Sequence, residues 1–254
     1  MDFYKSINPY YDLIFPVDAQ ALAFLAGKTR PGSRILDIAC GTGGYALALA
    51  ELGHRVTGVD LNRAMIEAAL DKGRSRHPTV DFQVLDMLKI GRVFEPGFDL
   101  IFCIGNSLVH LDTERKIRRL FASCRELLAP GGTCVIQIIN FDRILAEGLG
   151  GLPTITDPAV GLEFRRAYDA DADPGRVIFR TELSVGAGEK SERIVNRIPL
   201  RIVGKDRLLT LAREGGFRRF ELNGDFHGRP YDRDSFLLIL CAGLQPSTDT
   251  RSGL

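Results

Sequence analysis

The residues Ile35-Leu-Asp-Ile-Ala-Cys-Gly-Thr-Gly-Gly-Tyr45 decide how this chain folds. An apolar run reaches a carboxylate, Asp37, and is followed by glycines and a helical pattern, which predicts a strand, a sharp turn and a helix start. Gly41 and Gly43 can adopt backbone angles that other residues avoid, and they present no Cβ to a ligand. Ala46 stands where a dinucleotide-binding Gly-x-Gly-x-x-Gly turn has its third glycine, which weakens that interpretation without excluding it.

Two further strand patterns also end in an acid. The run 56–60 ends at Asp60, about 20 residues beyond the first glycine, where a carboxylate can accept both hydroxyls of a ribose and disfavours a 2′-phosphate. Asn62 is then a candidate N-cap for a helix. The run 80–85 is followed by Asp86. Three acids in register at three strand ends favour a ligand site over a glycine turn without a ligand.

With these features the sequence resembles the class I S-adenosylmethionine-dependent methyltransferases, over roughly residues 10–140 and 204–243. The matching segments, in family order, are Asp37-Ile-Ala-Cys-Gly-Thr-Gly43, Val59-Asp-Leu-Asn-Arg-Ala-Met65, Val84-Leu-Asp-Met87, Phe98-Asp-Leu-Ile-Phe-Cys-Ile-Gly-Asn106 and Leu127-Leu-Ala-Pro-Gly-Gly132. The resemblance implies an α/β fold, a doubly wound, seven-stranded, mostly parallel sheet of the Rossmann-like methyltransferase type.

The resemblance also implies that the cofactor is S-adenosyl-L-methionine. Asp37 is then expected near the ammonium of the methionine moiety, Asp60 at the ribose and Asp86 at the adenine amino group. The full set of predicted cofactor-binding residues is Tyr11, Asp37, Ala39, Gly41, Gly43, Asp60, Leu61, Met65, Asp86, Met87 and Ile104. Tyr11 belongs to an aromatic N-terminal segment whose rings suit a sulfonium. Simple packing of that segment on the domain is the alternative.

The stretch 103–111 is the most informative for the methyl acceptor. It resembles the Gly-Asn-Ser-x-x-His segment of glycine and sarcosine N-methyltransferases, and Asn140-Phe-Asp-Arg143 resembles their Asn-Tyr-Asp motif. Asn106 and His110 are therefore the predicted catalytic residues, since an amide can orient an amine and imidazole titrates near neutrality. A loop-capping amide and a helix-start histidine are the alternatives. In that subfamily an arginine immediately before the motif binds the substrate carboxylate. Here that position is Ile139, so an arginine from the insertion would have to replace it.

The pattern along the chain also predicts its organisation. The predicted strands of the main sheet are 35–39, 55–59, 80–85, 98–104, 132–139, 217–222 and 235–241, the last two antiparallel. An antiparallel β insertion follows strand five, with a loop at 149–160 and β runs at 162–168, 176–185 and 191–203. The predicted domains are 1–33 (N-terminal cap and first helix), 34–141 with 204–244 (cofactor binding), 142–203 (the insertion, as lid, substrate region or homo-oligomer interface) and 245–254 (a disordered tail).

Composition limits the function classes. The chain has 254 residues and a net charge of +1, so it carries no global electrostatic footprint for nucleic acid. Its five cysteines lack metal-ligand spacing and read as reduced core residues, so no metal site is predicted. The N-terminus lacks a signal-peptide core and no apolar run reaches transmembrane length, which predicts a cytoplasmic protein without membrane contact.

Other charged and titratable residues have weaker interpretations. Arg193, Arg197 and Arg201 fall on one face of the last insertion run. A solvated row is the default there, and a row of cations over an anionic-substrate pocket is the alternative. His54 and His77 read as surface residues. His227 is a weaker site candidate than His110.

Together these patterns predict an S-adenosylmethionine-dependent methyltransferase that acts on a small polar metabolite, at an amine nitrogen rather than at oxygen. Transfer from a sulfonium is an in-line displacement that needs positioning more than covalent help. Two alternatives stay open: O-methylation of a hydroxylated small molecule, and a non-catalytic protein that retains the cofactor. A dehydrogenase is disfavoured because the sequence has no Tyr-x-x-x-Lys pair, and a nucleic-acid substrate because no aromatic-proline tetrapeptide follows strand four.

Overall fold

The computed structural model describes residues 6–76, 79–148, 150–186 and 192–244, which contain two β-sheets. The strands are β1 (Arg34–Ile38), β2 (Arg55–Asp60), β3 (Asp81–Val84), β4 (Phe98–Cys103), β5 (Leu128–Ile139), β6 (Gly151–Asp157), β7 (Leu162–Ala170), β8 (Arg176–Val185), β9 (Glu192–Arg201), β10 (Arg219–Asn223) and β11 (Leu237–Gly243). The longer helices are α1 (Ala19–Ala26), α2 (Gly44–Glu51), α3 (Arg63–Arg76), α4 (Glu114–Leu127), α5 (Phe141–Glu147) and α6 (Lys205–Glu214).

The larger sheet confirms the predicted doubly wound topology. Its seven strands lie in the order β10-β11-β5-β4-β1-β2-β3. Within this part of the structure β11 runs antiparallel to both of its neighbours, β10 and β5, and the other neighbouring pairs are parallel. The chain moves outward from β1 to β3 and then crosses to β4 on the other side of β1. Ligands bind to such sheets at the carboxyl ends of the strands, beside the point where the order reverses. That point lies between β1 and β4.

Both faces of this sheet are buried, which is why its central strands are nearly continuous apolar runs. Leu36 and Ile38 of β1 belong to a core with α4 and α6, whereas Ile35 packs on the opposite side with α1, α2 and α3. Two cores therefore hold the strands, and the loops at the carboxyl edge are left to build a site. No helix within the described ranges is long and apolar enough to cross a bilayer.

The smaller sheet is the insertion after β5, with four antiparallel strands in the order β6-β7-β8-β9. The predicted loop at 149–160 is wrong, because Gly151–Asp157 forms β6 and the unpredicted α5 precedes it. Pro153 makes this segment look like a loop in the sequence. Proline is tolerated here because β6 is an edge strand, in which fewer backbone N–H groups donate to a neighbouring strand. The connection between the predicted β runs 176–185 and 191–203 consists largely of residues 187–190, which lie outside the described ranges, as do Ser191, His77 and the predicted tail 245–254. Association of copies through this sheet stays a prediction.

Local contacts fix the start of α4. Its N-cap is Thr113, whose side chain accepts from the Lys116 backbone N–H, and Asp112 forms an ion pair with the Lys116 ammonium at 2.8 Å. The sequence predicts that the fifth strand begins at residue 132, but the chain enters β5 directly from α4, at Leu128. Residues 130–132 therefore lie inside that strand, where the pairing of β4 with β5 shifts register.

The N-terminal segment connects the two sheets. Ile7 is fully buried in a cluster with Phe164 of the smaller sheet. Asp12 accepts a hydrogen bond from the hydroxyl of Thr42, in the turn after β1, and forms an ion pair with Lys72 of α3 at 2.8 Å. The segment therefore crosses the carboxyl edge of the larger sheet.

Candidate active site

A cavity of about 890 Å³ lies at the carboxyl ends of the parallel strands. This volume is in the range of pockets that bind small molecules. One side, which we term the acid-lined half, is formed by the turns after β1, β2 and β3. The opposite side, the apolar half, is formed by Leu152, Tyr168, Phe179 and Leu200 of the smaller sheet. The insertion therefore covers the ligand edge of the larger sheet.

The turn after β1 brings backbone to the cavity rather than side chains. Ala39 and Gly41 have positive φ angles of 59° and 56°. Among the described residues, Ala39 and Asn106 are the two non-glycines with positive φ, and both line the cavity. Backbone strain of this kind clusters at functional sites. A Cβ at Gly41 would lie 2.8 Å from Tyr11 Oη, so glycine allows the N-terminal segment to close onto the turn.

Asp60 is oriented by two backbone hydrogen bonds. Its Oδ2 accepts from the Gly41 N–H at 3.0 Å and its Oδ1 from the Asn62 N–H at 2.8 Å. Burial raises the pKa of Asp60, although these hydrogen bonds lower it. Each oxygen keeps a second lone pair for a hydroxyl donor, so the arrangement suits a diol. Asn62 is also the predicted N-cap of α3, since its Oδ1 accepts from the Ala64 N–H at 2.9 Å.

Asp37 is a carboxyl group that lacks a cation. It is 3% exposed, and no lysine or arginine within the described ranges forms an ion pair with it. Burial raises the pKa of Asp37 well above its ordinary range, and the negative charge of Asp60 raises it further. A buried carboxylate is costly unless a positive charge compensates it. A cationic ligand would therefore stabilise the acid-lined half.

Four more predicted cofactor residues line the cavity. Leu61 follows β2, Asp86 and Met87 follow β3, and Ile104 follows β4. Asp86 uses Oδ1 to accept from the Leu88 N–H at 2.9 Å, which fixes the direction of its carboxylate. The strand ends therefore bring together the residues that the acid-terminated pattern selected.

Gly43 and Met65 were predicted to bind the cofactor but do not line the cavity. A Cβ at Gly43, whose φ is +77°, would lie 2.5 Å from Phe82 Cζ. This glycine is therefore required by packing of the turn against β3. Met65 is buried in α3 with 1% exposure.

Asn106 lines the cavity immediately after β4, as predicted, but its side chain also has a structural contact. The Asn106 Oδ1 accepts from the Ile139 N–H at 3.0 Å. The preceding Gly105 N–H donates to Gln137 Oε1 at 2.7 Å, and Gln137 is buried. These bonds fix the loop to β5, in agreement with the loop-capping alternative. The catalytic role of Asn106 stays a prediction.

His110 ends the short helical turn Ser107–His110 and lines the cavity. Burial lowers the pKa of His110 to about 4. The imidazole is therefore neutral at pH 7 and can donate or accept a hydrogen bond. A general base works best when its pKa is near the operating pH, so His110 is a weak proton acceptor.

Arg166 lines the cavity from β7 and was not predicted as a site residue. It alternates with the buried residues Phe164 and Tyr168, so it lies on the inner face of the strand. Its Nη2 donates to the Pro153 carbonyl at 2.6 Å, its Nε has no partner, and burial lowers the pKa of the guanidinium. The sequence signal for such a position is a basic residue that falls, by the alternation of the strand, on the same face as buried apolar residues.

The Asn140-Phe-Asp-Arg143 motif serves the fold. Asn140 is 1% exposed, caps α5 and donates from Nδ2 to the Ser235 carbonyl at 2.9 Å. Asp142 accepts from the Lys205 N–H at 2.8 Å and so fixes the start of α6. These contacts join β5 to the closing strands of the larger sheet.

The other predicted titratable residues lie away from the cavity. The expectation that His54 is a surface residue is wrong: it is 9% exposed, with Nε2 3.2 Å from Thr29 Oγ1, and burial lowers its pKa. His227 is exposed. In the part of the chain that the structure describes, no cluster of three or more His, Cys, Asp or Glu could hold a metal ion.

The arginine row of β9 agrees with the default interpretation, a solvated row. None of its three arginines lines the cavity. Their ion-pair partners on or near the surface are Glu182 for Arg193 (2.9 Å), Asp169 for Arg197 (3.1 Å) and Glu114 for Arg201 (3.7 Å).

Comparison with known proteins agrees with this geometry. A family described as a methyltransferase domain matches residues 35–132. The chain is 31% identical over 212 residues to a glycine/sarcosine N-methyltransferase from Halorhodospira halochloris, covering 84% of this chain and 75% of the relative. Another, from Aphanothece halophytica, is 29% identical over 199 residues, covering 78% and 71%. A solved S-adenosylmethionine-dependent methyltransferase from Clostridium acetobutylicum ATCC 824 has a TM-score of 0.79 at 18% identity, covering 95% and 99%, and supports the fold.

The residues present also fit the cofactor of that family. A sulfonium and an ammonium would compensate the buried charge of Asp37, and the oriented carboxylate of Asp60 matches a ribose diol. The chain belongs to the family of S-adenosylmethionine-dependent methyltransferases, and S-adenosylmethionine is its cofactor.

Proposed function

We propose that the protein transfers the methyl group of S-adenosylmethionine to an amine nitrogen of a small metabolite. The observation that carries the proposal is a single cavity that contains both the acid-lined half and the loop of Asn106 and His110. The relatives from Halorhodospira halochloris and Aphanothece halophytica, of which the alignments cover 75% and 71%, are named glycine/sarcosine N-methyltransferases.

In the acid-lined half the residues would bind and orient the cofactor. The two oxygens of Asp60 would accept from the ribose hydroxyls, and Asp37 would face the ammonium of the methionine moiety. Asp86 and Met87 would hold the adenine, by a hydrogen bond and by packing. Tyr11 would cover the turn from the other side, because it already packs against Gly41.

When bound, the cofactor supplies an electrophilic methyl group: the amine lone pair forms the C–N bond while the C–S bond breaks and its electron pair stays on sulfur. The chain must present a neutral amine in line and exclude water. Asn106 would orient the amine with the part of its amide that the Ile139 contact leaves unused. His110 would hold it by a hydrogen bond, and the proton of the product ammonium would pass to water, since a group with a pKa of about 4 does not retain it.

The weak basicity of His110 also favours nitrogen over oxygen. An alcohol must lose its proton as the new bond forms, and this needs a base with a pKa near the working pH. An amine already has a free lone pair once it is neutral. The pH dependence of the rate should then follow deprotonation of the amine substrate.

Acceptor pairs that differ only in the nucleophile test this proposal. The full chain is incubated with S-adenosylmethionine labelled in its methyl group and with glycine or glycolate, and with phenylalanine or phenyllactate. Label in the amine member of a pair supports the proposal. Label in the hydroxy acid alone would contradict it and favour O-methylation. No label in any acceptor, with cofactor binding intact, would favour a non-catalytic binding protein.

A further inference from the structure

The cavity has an uneven distribution of charge. Five aspartates line it: Asp12, Asp18, Asp37, Asp60 and Asp86. Among the described residues that line it, Arg166 is the only lysine or arginine. The aspartates suit a positively charged cofactor. The guanidinium lies on the apolar half, on the sheet that faces them, so a cationic cofactor does not explain it.

The protein itself does not neutralise Arg166. No carboxylate in the described ranges forms an ion pair with it, and its side chain donates one hydrogen bond within those ranges, to the Pro153 carbonyl. The Arg166 Nε is buried without a partner. A buried charged donor without an acceptor is costly, so a site of this kind gains from a ligand that supplies one.

Two neighbours of Arg166 have the same deficiency. Thr181 of β8 lies opposite Arg166, and Asn196 of β9 lies opposite Thr181, so the three residues form one row across three strands. Thr181 Oγ1 and Asn196 Nδ2 are also buried without a partner in the described part of the chain, and Thr181 is 1% exposed. Each member of the row can donate a hydrogen bond. Arg166 is the member of this row that lines the cavity, so an anionic oxygen group bound there would meet the guanidinium first.

The surroundings of Arg166 are apolar and aromatic. Leu152 of β6 lies opposite it, and Tyr168 and Phe179, whose ring centroids are 5.3 Å apart, pair across β7 and β8 one step along the strand. Leu200 completes the apolar half. A wall of this size and character would contact the apolar body of a ligand. Glycine has no such body.

We propose that Arg166 binds the carboxylate of the methyl acceptor, and that the acceptor is an α-amino acid with an apolar or aromatic side chain rather than glycine. This inference rests on amine methylation as proposed above. A carboxylate is favoured over a phosphate because the cavity offers one guanidinium and no second cation among its described lining residues, and a planar fork matches a carboxylate in bidentate fashion. Thr181 and Asn196 continue the same cross-strand row away from Arg166.

The test compares amino acids with the amines that lack only the carboxylate: phenylalanine with phenethylamine, and leucine with 3-methylbutylamine. We expect wild type to have the lower KM for each amino acid and a higher kcat/KM for phenylalanine than for glycine. Arg166→Gln should raise the KM for phenylalanine by about 30-fold or more and leave that for phenethylamine within about twofold. Calorimetric titration of phenylalanine into protein loaded with S-adenosylhomocysteine gives the same comparison without turnover.

Arg165→Gln is the matched control, because it removes the same charge from the adjacent residue, which is exposed and paired with Glu163 at 2.8 Å. It should leave both KM values unchanged, whereas Arg166→Lys should restore part of the preference for the amino acid. Equal KM values for amino acid and amine in wild type, or equal losses in Arg166→Gln, would overturn this inference while leaving amine methylation intact. Failure to methylate any amine would overturn both.

Discussion

The two halves of the cavity are built by different parts of the chain. The acid-lined half comes from turns that directly follow β1, β2 and β3, and backbone hydrogen bonds such as those from Gly41 and Asn62 to Asp60 fix its side chains. The apolar half comes from the inserted sheet, which packs on the larger sheet through residues such as Tyr168 and on the N-terminal segment through Phe164. We therefore expect the larger sheet to bind the cofactor and the smaller sheet, which covers it, to select the acceptor.

The halves also differ in what they lack. Asp37 is a buried carboxylate without a cation, and Arg166 is a half-buried cation without a carboxylate. Each gains from a ligand of opposite charge. Variants of the acid-lined half should therefore change cofactor binding, and variants of the apolar half should change acceptor binding.

Among substitutions that keep the shape of the side chain, the largest effect in the acid-lined half is expected for Asp37→Asn, which removes the charge. The affinity for S-adenosylmethionine should fall by about 30-fold, equal to about 2 kcal/mol for a hydrogen-bonded charge. The exposed Asp81→Asn makes the same change outside the cavity and should have no effect on titration calorimetry. Unchanged affinity in Asp37→Asn would show that Asp37 does not contact the cofactor.

The same variant should stabilise the ligand-free protein. The pKa of Asp37 is raised in the folded state, so the folded protein holds the proton more tightly and stability falls as pH rises above the unfolded value of about 3.9. In Asp37→Asn the side chain has no proton to lose, so stability does not fall with pH for this reason. Its Tm without ligand should exceed that of wild type by a few degrees at pH 7, since about 1 kcal/mol corresponds to roughly 2–4 °C in a chain of this size. The difference should disappear below about pH 4, and a lower Tm at pH 7 would contradict the argument.

A smaller effect is expected where the N-terminal segment meets the cofactor turn. Gly41→Ala would place a Cβ 2.8 Å from Tyr11 Oη and should weaken cofactor binding by about 10-fold through displacement of the tyrosine. Gly32→Ala is the matched control, because Gly32 also has positive φ (+77°) but has no atom within 4 Å of the added Cβ. Both variants should lose similar stability from backbone strain. Equal affinities in the two would show that closure by Tyr11 does not contribute to binding.

The smallest effect is expected for His110→Gln. Since burial lowers the pKa of His110 to about 4, the imidazole does not titrate between pH 6 and 9. The variant should lower kcat by less than about 10-fold and leave the shape of the pH–rate profile in that range unchanged. A loss of more than about 100-fold together with a missing limb of the profile would identify His110 as a base and favour O-methylation.

The difference between the halves also explains what could be predicted from the sequence. Asp37, Asp60 and Asp86 each lie within two residues of the carboxyl end of a strand, and parallel strands bring these ends to one edge, so the local pattern was sufficient. Gly43 was predicted to bind the cofactor because the sequence does not tell which group packs closely against a glycine. In the structure that group is the Phe82 ring, not a ligand.

The apolar half was harder to predict because its residues meet only through long-range packing. The edge strand β6 was read as a loop on account of its proline and glycines, and α5 was missed. Arg166 was overlooked beside the arginine row of β9, although its alternation with Phe164 and Tyr168 places it inside. The division of the chain into domains stays a prediction.

The most direct test is calorimetric titration with S-adenosylmethionine of wild type, Asp60→Ala and Arg166→Gln, each shown to be folded by circular dichroism. Wild type should bind. Asp60→Ala should bind about 100-fold more weakly, since it removes two hydrogen bonds to a charged group, and Arg166→Gln should match wild type within about twofold. No binding to wild type, or a loss in Arg166→Gln as large as that in Asp60→Ala, would contradict a cavity divided between cofactor and acceptor.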